Sequence, residues 1–303
     1  RRFIMSEFRI DQIKSQDATR GPDVAGITTF TGTSGLVMPS GVTGQRASDH
    51  DLAIVRDGLT LHLNAKYNGY IYDLTGNRND GELVYGGEWK DINGGAWFFD
   101  NTAGSNSSAG EKERIEIQFQ TALPSSPLSP FTLEVWAQRA GADAWQTIIS
   151  LGQVGTQIAF DSSNVIRMGR NGGSGAHNTT TGVTSSADTW YHLVMTYDGN
   201  QSTAYSATDN EKINKFYINQ YVNSINYNPY GGDPLNPGSD NDMGYNGTDN
   251  DSRFALGAHA INAYPNVGEV LDGYVGEVRI YDRALTKKEV SINYNATKSR
   301  YGV

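Results

Sequence analysis

Gly273-Tyr-Val-Gly-Glu-Val-Arg-Ile-Tyr-Asp-Arg-Ala-Leu-Thr-Lys-Lys-Glu-Val290 is the stretch on which the fold turns. β-branched and aromatic residues alternate with others through its first half, the period of a pleated strand. On strict alternation Val275, Glu277, Arg279 and Tyr281 face one side. Tyr274, Gly276, Val278 and Ile280 face the other. Thr286 and Glu289 then make a T-x-x-E capping box, with Leu285 and Val290 placed for a hydrophobic staple around it. The stretch reads as a terminal strand followed by a short closing helix.

Outward from that strand, the chain is strand and turn. Gly58-Leu-Thr-Leu-His-Leu-Asn64 sets Leu59, Leu61 and Leu63 inward. Ala96–Asp100 and Arg114–Phe119 are strands, the second alternating cleanly between apolar and polar faces. Gln146–Leu151, Thr156–Phe160 and Val165–Gly169 follow at the spacing of a sandwich. Arg170–Ser186 reads as a Gly/Thr/Ser-rich loop, and Asn228–Asp251 as a long Asn/Asp/Gly/Pro-dense insertion. No segment before the closing cap carries a helical period, and no repeat of about 20 to 50 residues is present.

Four segments together resemble laminin G-like, concanavalin A-type domains. They are the closing stretch, Phe131-Thr-Leu-Glu-Val-Trp136, Thr189-Trp-Tyr-His-Leu-Val-Met-Thr-Tyr-Asp-Gly199, and Lys215-Phe-Tyr-Ile-Asn-Gln-Tyr-Val222. In the last, Gln220 stands where that family usually has Gly. The loop Asp73-Leu-Thr-Gly-Asn-Arg-Asn-Asp-Gly81 resembles a family loop as well. The resemblance covers residues 58–298. It implies an all-β fold: a concanavalin A-like antiparallel β-sandwich (jelly roll) with a short C-terminal helix.

Composition divides the chain. Residues 1–50 hold six Lys/Arg and five Asp/Glu, a net of +1, which leaves −10 of the total −9 for the rest. All 17 Tyr and all five Trp lie at or after Tyr67. A first segment without these large rings cannot easily build a core of its own. It reads as an extended N-terminal arm, residues 1–56, ahead of a laminin G-like domain, residues 57–303. Met5-Ser-Glu-Phe reads as a natural start, and no apolar run of a leader is expected. Ile27, Phe30, Leu36, Val37 and Met38 recur between Gly, Pro, Ser and Thr, a spacing suited to anchors that bury against another chain. A disordered linker is the plainer reading of the same composition. Met5 through Gly41 also resemble the start of virion structural proteins of tailed marine phages. That resemblance implies docking on other virion proteins, and a location in a virion assembled in the host cytoplasm.

Several function classes recede on composition. The negative charge argues against nucleic acid. No apolar run approaches the roughly 20 residues of a membrane helix, so membrane insertion is not expected. Absence of Cys excludes disulfides and thiolate metal sites. No G-x-S-x-G, H-E-x-x-H or phosphate loop is present. The carboxylate run Glu111, Glu113 and Glu116 suggests a glycosidase pair, but Glu116 sits at an odd offset and a solvated strand face explains the run better. No catalytic residue is expected.

Two binding chemistries remain. Asp73, Asn77, Asn79 and Asp80 gather oxygen ligands in a Gly-bounded loop, the material of a Ca²⁺ site, although turn formation uses the same residues. Asp240, Asp242, Asp249 and Asp251 do so in the insertion. Many members of the family bind one Ca²⁺, yet Gly276 replaces an acidic residue common just before the E-V-R-I-Y run. Tyr227, Tyr230, Tyr245 and Tyr264 lie among Asn, Asp and Gly, where rings stack on sugars or on protein. The expectation is a non-enzymatic virion structural protein, a decoration or fibre-like appendage and a homo-oligomer. The alternative is a carbohydrate-binding adhesin recognising host surface glycans.

Overall fold

The structure is a computed structural model. It describes residues 53–67, 70–100, 113–117, 130–141, 145–151, 156–172, 175–197, 214–223, 254–260, 267–268 and 270–303. All lie in the second of two units into which the chain divides, Ala47–Val303. The strands are β1 (Leu59–Asn64), β2 (Gly81–Val84), β3 (Glu88–Lys90), β4 (Ala96–Phe99), β5 (Arg114–Ile117) and β6 (Phe131–Arg139). Next come β7 (Gln146–Leu151), β8 (Thr156–Phe160), β9 (Val165–Gly172), β10 (Gly175–Thr184), β11 (Tyr191–Tyr197) and β12 (Asn214–Ile218). The series ends with β13 (Tyr221–Asn223), β14 (Phe254–Leu256), β15 (His259–Ala260), β16 (Val267–Gly268) and β17 (Gly273–Tyr281). A single α-helix among the described residues, α1 (Lys287–Thr297), follows.

Two antiparallel sheets carry the fold. One runs β13-β12-β11-β6-β17-β4-β3, with β1 also on β17; the other runs β10-β9-β8-β7-β14-β5-β2. Between them lies the main core, where Leu61, Leu63, Trp97, Ile115, Ile117, Leu133, Val135, Ile158, Met168, Leu193, Phe216, Phe254, Val275, Val278 and Ile280 are buried. Each such side chain contributes about 1.5–3 kcal/mol on leaving water. This is the sandwich that the resemblance implied and that the strand spacing fits.

The central strand departs from strict alternation. β17 and β6 pair Val275 with Ala137 but Glu277 with Trp136, so Gly276 is an extra residue, a β-bulge. The bulge reverses parity. Val275 joins Val278 and Ile280 in the main core. Tyr274 crosses instead to the outer face, where it packs beside Trp136 and Tyr301. A second irregularity, between Leu59 and Leu61, does the same to β1. Leu61 and Leu63 point inward as expected, whereas Leu59 packs outward against the cluster of Tyr281, Leu285 and Val290.

Two further expectations change. Residues 175–184 form β10, paired along β9, and not a loop. Thr-rich sequence at a sheet edge accepts a ladder that its glycines alone would not favour. Residues 53–56, assigned above to the arm, belong to the body: Ile54 is buried. The Val55 amide donates to Asn293 Oδ1 at 2.8 Å, and Tyr281 Oη donates to the Val55 carbonyl at 3.1 Å.

The closing helix starts as its sequence specifies. Thr286 Oγ1 accepts from the Glu289 amide at 3.3 Å, and Glu289 Oε2 accepts from the Thr286 amide at 2.8 Å. Leu285 and Val290 are both buried in the outer cluster. Arg283 clamps the same carboxylate with two N–H groups, at 2.7 and 3.1 Å. Led by that bond, the cap holds the Glu289 carboxyl down at about 2.

Candidate functional site

Three places among the described residues concentrate polar or aromatic side chains outside the main core. The first is the loop 73–81. β1 pairs with β17 on one side only, so its other edge needs hydrogen-bond partners. The loop supplies them. Asp73 Oδ1 accepts from the His62 amide at 3.2 Å and from the Thr75 amide at 3.0 Å. It also accepts from Thr75 Oγ1 at 2.8 Å, while Oδ2 accepts from the Asn79 amide at 3.2 Å. The Leu74 amide donates to the His62 carbonyl at 2.9 Å. Asn77 Nδ2 donates to the Thr60 carbonyl at 2.9 Å, and Asp80 Oδ1 accepts from the Asp73 amide at 2.8 Å. Side chains thus stand in for a missing neighbour strand. Both Asp73 oxygens are engaged by protein donors, and the four residues act as an edge cap. No group of three or more His, Asp or Glu among the described residues is arranged to hold a metal.

The second place is a charge network on the outer face of the larger sheet. Alternation along β6 and β17 turns Glu134, Glu277 and Arg279 outward, and α1 covers them, so Glu134 and Glu277 are each only 1% exposed. Arg279 Nη1 donates to Glu134 Oε1 at 2.5 Å, while Nη2 donates to Glu277 Oε1. His192 Nε2 and His62 Nε2 donate to Glu134 and Glu277, each at 2.7 Å. From the helix, Asn293 Nδ2 donates to Glu134 Oε2 at 2.7 Å and to Tyr281 Oη at 2.9 Å. Arg300 Nη1 lies 3.9 Å from Glu277 Oε2. Two carboxylates thus face two guanidiniums.

Burial pushes both carboxyls up, but Arg279, followed by the histidine bond, outweighs it and holds each below the usual carboxylate range. Burial alone would lower Arg279; its two carboxylates raise it instead. Burial raises the Tyr281 hydroxyl. Beside the network, Trp136 stacks on Tyr301 at 4.3 Å and donates from Nε1 to Thr297 Oγ1 at 2.9 Å. Gly276 makes room for this packing, because a Cβ there would stand 2.5 Å from Tyr301 Oη.

The third place is aromatic and exposed. Tyr70 and Tyr72 project from the segment ahead of the edge cap, with ring centroids 5.2 Å apart and planes 7° from parallel. Tyr221 is exposed at the tip of the β12–β13 hairpin.

Of the residues singled out from sequence, Asp73, Asn77, Asn79 and Asp80 come together, as the edge cap. Tyr227, Tyr230, Tyr245 and Tyr264 lie outside the described residues, as do Asp240, Asp242, Asp249, Asp251, Glu111 and the arm's Ile27, Phe30, Leu36, Val37 and Met38. Of the carboxylate run, Glu113 accepts from the Asp100 amide at 2.8 Å, and Glu116 binds Arg114. Sequence reasoning passed over the Glu134–Arg279–Glu277 set, since alternation marks those positions as solvated. The available signal was the closing helix, whose buried side has to rest on some sheet face.

Residues 116–242 match the model of a family described as the concanavalin A-like lectin/glucanases superfamily. No curated protein sequence matches the chain. A solved structure concerned with cell entry of botulinum neurotoxin type C through two ganglioside molecules aligns with a TM-score of 0.52 and 13% identity, over 79% of this chain and 51% of that one. The binding domain of Paraclostridial Mosquitocidal Protein 1 aligns with a TM-score of 0.52 and 19% identity, over 79% and 52%. Domain 4 of an extracellular GH43 arabinanase from Geobacillus stearothermophilus, in complex with arabinotriose, aligns with a TM-score of 0.50 and 18% identity, over 79% of this chain and 100% of that one. The chain spans about half the length of the two toxin structures. At these identities the likeness establishes the fold, a concanavalin A-like β-sandwich.

Proposed function

We propose that the chain is a binding protein of a virion, whose lectin-like sandwich engages host surface glycans and whose N-terminal arm docks on other virion proteins. The glycan half rests on one observation. The fold aligns along the whole of a solved domain that carries arabinotriose, and it is shared with a neurotoxin whose cell entry is tied to gangliosides. The two carboxylates that the larger sheet does bring together are locked on Arg279 beneath α1, closed to any substrate, so the reading is binding without turnover. A glycan array on the full-length chain, with and without Ca²⁺, tests it; no bound glycan in either condition defeats it.

The virion half is supported by the arm's sequence alone, Met5 through Gly41. An arm that orders on a partner gains from multiplication, so a symmetric homo-oligomer on a rotational axis is the expected arrangement. Deleting residues 5–41 should abolish incorporation into particles while leaving the body's melting temperature unchanged. Normal copy number of the truncated form would overturn the docking role.

A further inference from the structure

Tyr70 and Tyr72 stand outside what the fold requires. Their side chains are 62% and 57% exposed, yet the backbone that carries them is fixed. Ile71 between them is buried, and its carbonyl accepts from the Gly81 amide at 2.8 Å. Gly81 is itself needed, since a Cβ there would lie 2.5 Å from Ile71 Cγ2. Immediately after Tyr72 comes Asp73, tied to β1 through its carboxylate. Two near-parallel rings on so firm a support form a surface already ordered before any ligand arrives, which lowers the entropic penalty of binding.

We propose that this pair is a stacking platform for a neutral saccharide and so the contact surface of the glycan binding proposed above, on which it rests. A sugar ring offers an apolar C–H face to an aromatic face, and hydroxyls to hydrogen-bonding groups at its rim. Both tyrosines are exposed, and a phenolic hydroxyl can donate to or accept from a sugar hydroxyl. The neighbouring carboxylate of Asp73 is buried and engaged, so it brings no exposed charge to the rings. The chain's net charge of −9 opposes anionic ligands. Neutral sugars fit both conditions.

The test uses the full-length chain. Neutral and anionic oligosaccharides are arrayed, and the best neutral binder is titrated calorimetrically and by the ultraviolet difference spectrum of tyrosine. Y70A/Y72A should bind at least about tenfold more weakly at an unchanged melting temperature, since both side chains are exposed. Y70F/Y72F should fall between the two, and Y221A, an exposed tyrosine elsewhere, should match the wild type. Wild-type affinity in Y70A/Y72A overturns the platform and leaves glycan binding standing on other residues. Binding of anionic glycans alone overturns the assignment to neutral sugars. A wild-type chain silent across the array removes the glycan reading and the platform together.

Discussion

Gly276 shows how much a single residue can decide. It is the extra residue of the β17 bulge, and the space a side chain would take holds the Tyr301 ring. Gly276→Ala should therefore overpack the Trp136–Tyr301 cluster and destabilise by about 1–3 kcal/mol, read as a lower Tm with no loss of solubility. An unchanged Tm would mean that the ring shifts freely. Gln220 presents the opposite case. Asn219 and Gln220 both have positive φ, 47° and 67°, at the centre of the two-residue turn between β12 and β13. That is a type I′ geometry, which favours Gly at the second position. Gln220→Gly removes left-handed strain and should raise stability by roughly 0.5–1 kcal/mol, a gain of a few degrees in Tm. A fall in Tm would show that the Gln220 side chain contributes contacts worth more than the strain.

At the scale of elements, the edge of β1 is closed by a loop instead of a strand. Asp73 is its centre. Asp73→Ala would orphan the buried His62 amide and release Thr75 and Asn79, at about 1–3 kcal/mol for the unpaired amide alone. Amide exchange should rise first at His62 and Leu74, ahead of the remaining strands. Because the same oxygens are engaged by protein donors, millimolar Ca²⁺ or a chelator should leave Tm unchanged in the wild type. A Ca²⁺-dependent rise abolished by Asp73→Ala would instead assign the loop to the ion.

For the molecule as a whole, α1 and the chain end form a second, smaller core on the outer face of the larger sheet, and its centre is ionic. Glu134 and Glu277 have folded pKa values held below the roughly 4.3 of an unfolded glutamate, so the unfolded chain binds more protons as pH falls. Their contribution is complete above that value and is lost progressively as pH drops beneath it. Melting curves should accordingly show Tm falling steeply below about pH 4. Glu134→Gln would leave Arg279 short of one counter-charge and should cost roughly 3–5 kcal/mol at neutral pH, with a shallower acid slope than the wild type. Equal slopes in variant and wild type would place the acid sensitivity elsewhere.

Local signals alone determined the strands quoted for their alternation, the closing helix with its Thr286–Glu289 cap, and the inward set of β5. Each depends on a period of two or on a four-residue box, and such spacings are written directly in the chain. Only the tertiary structure decided the sides of Tyr274, Val275 and Leu59, because a bulge exists only relative to a partner strand. It likewise decided that Asp73 closes a strand edge and that Glu134, Glu277 and Arg279 are interior. Those roles depend on which distant segment arrives to pair with β1 or to cover the sheet, and burial by a remote element leaves no mark in local spacing.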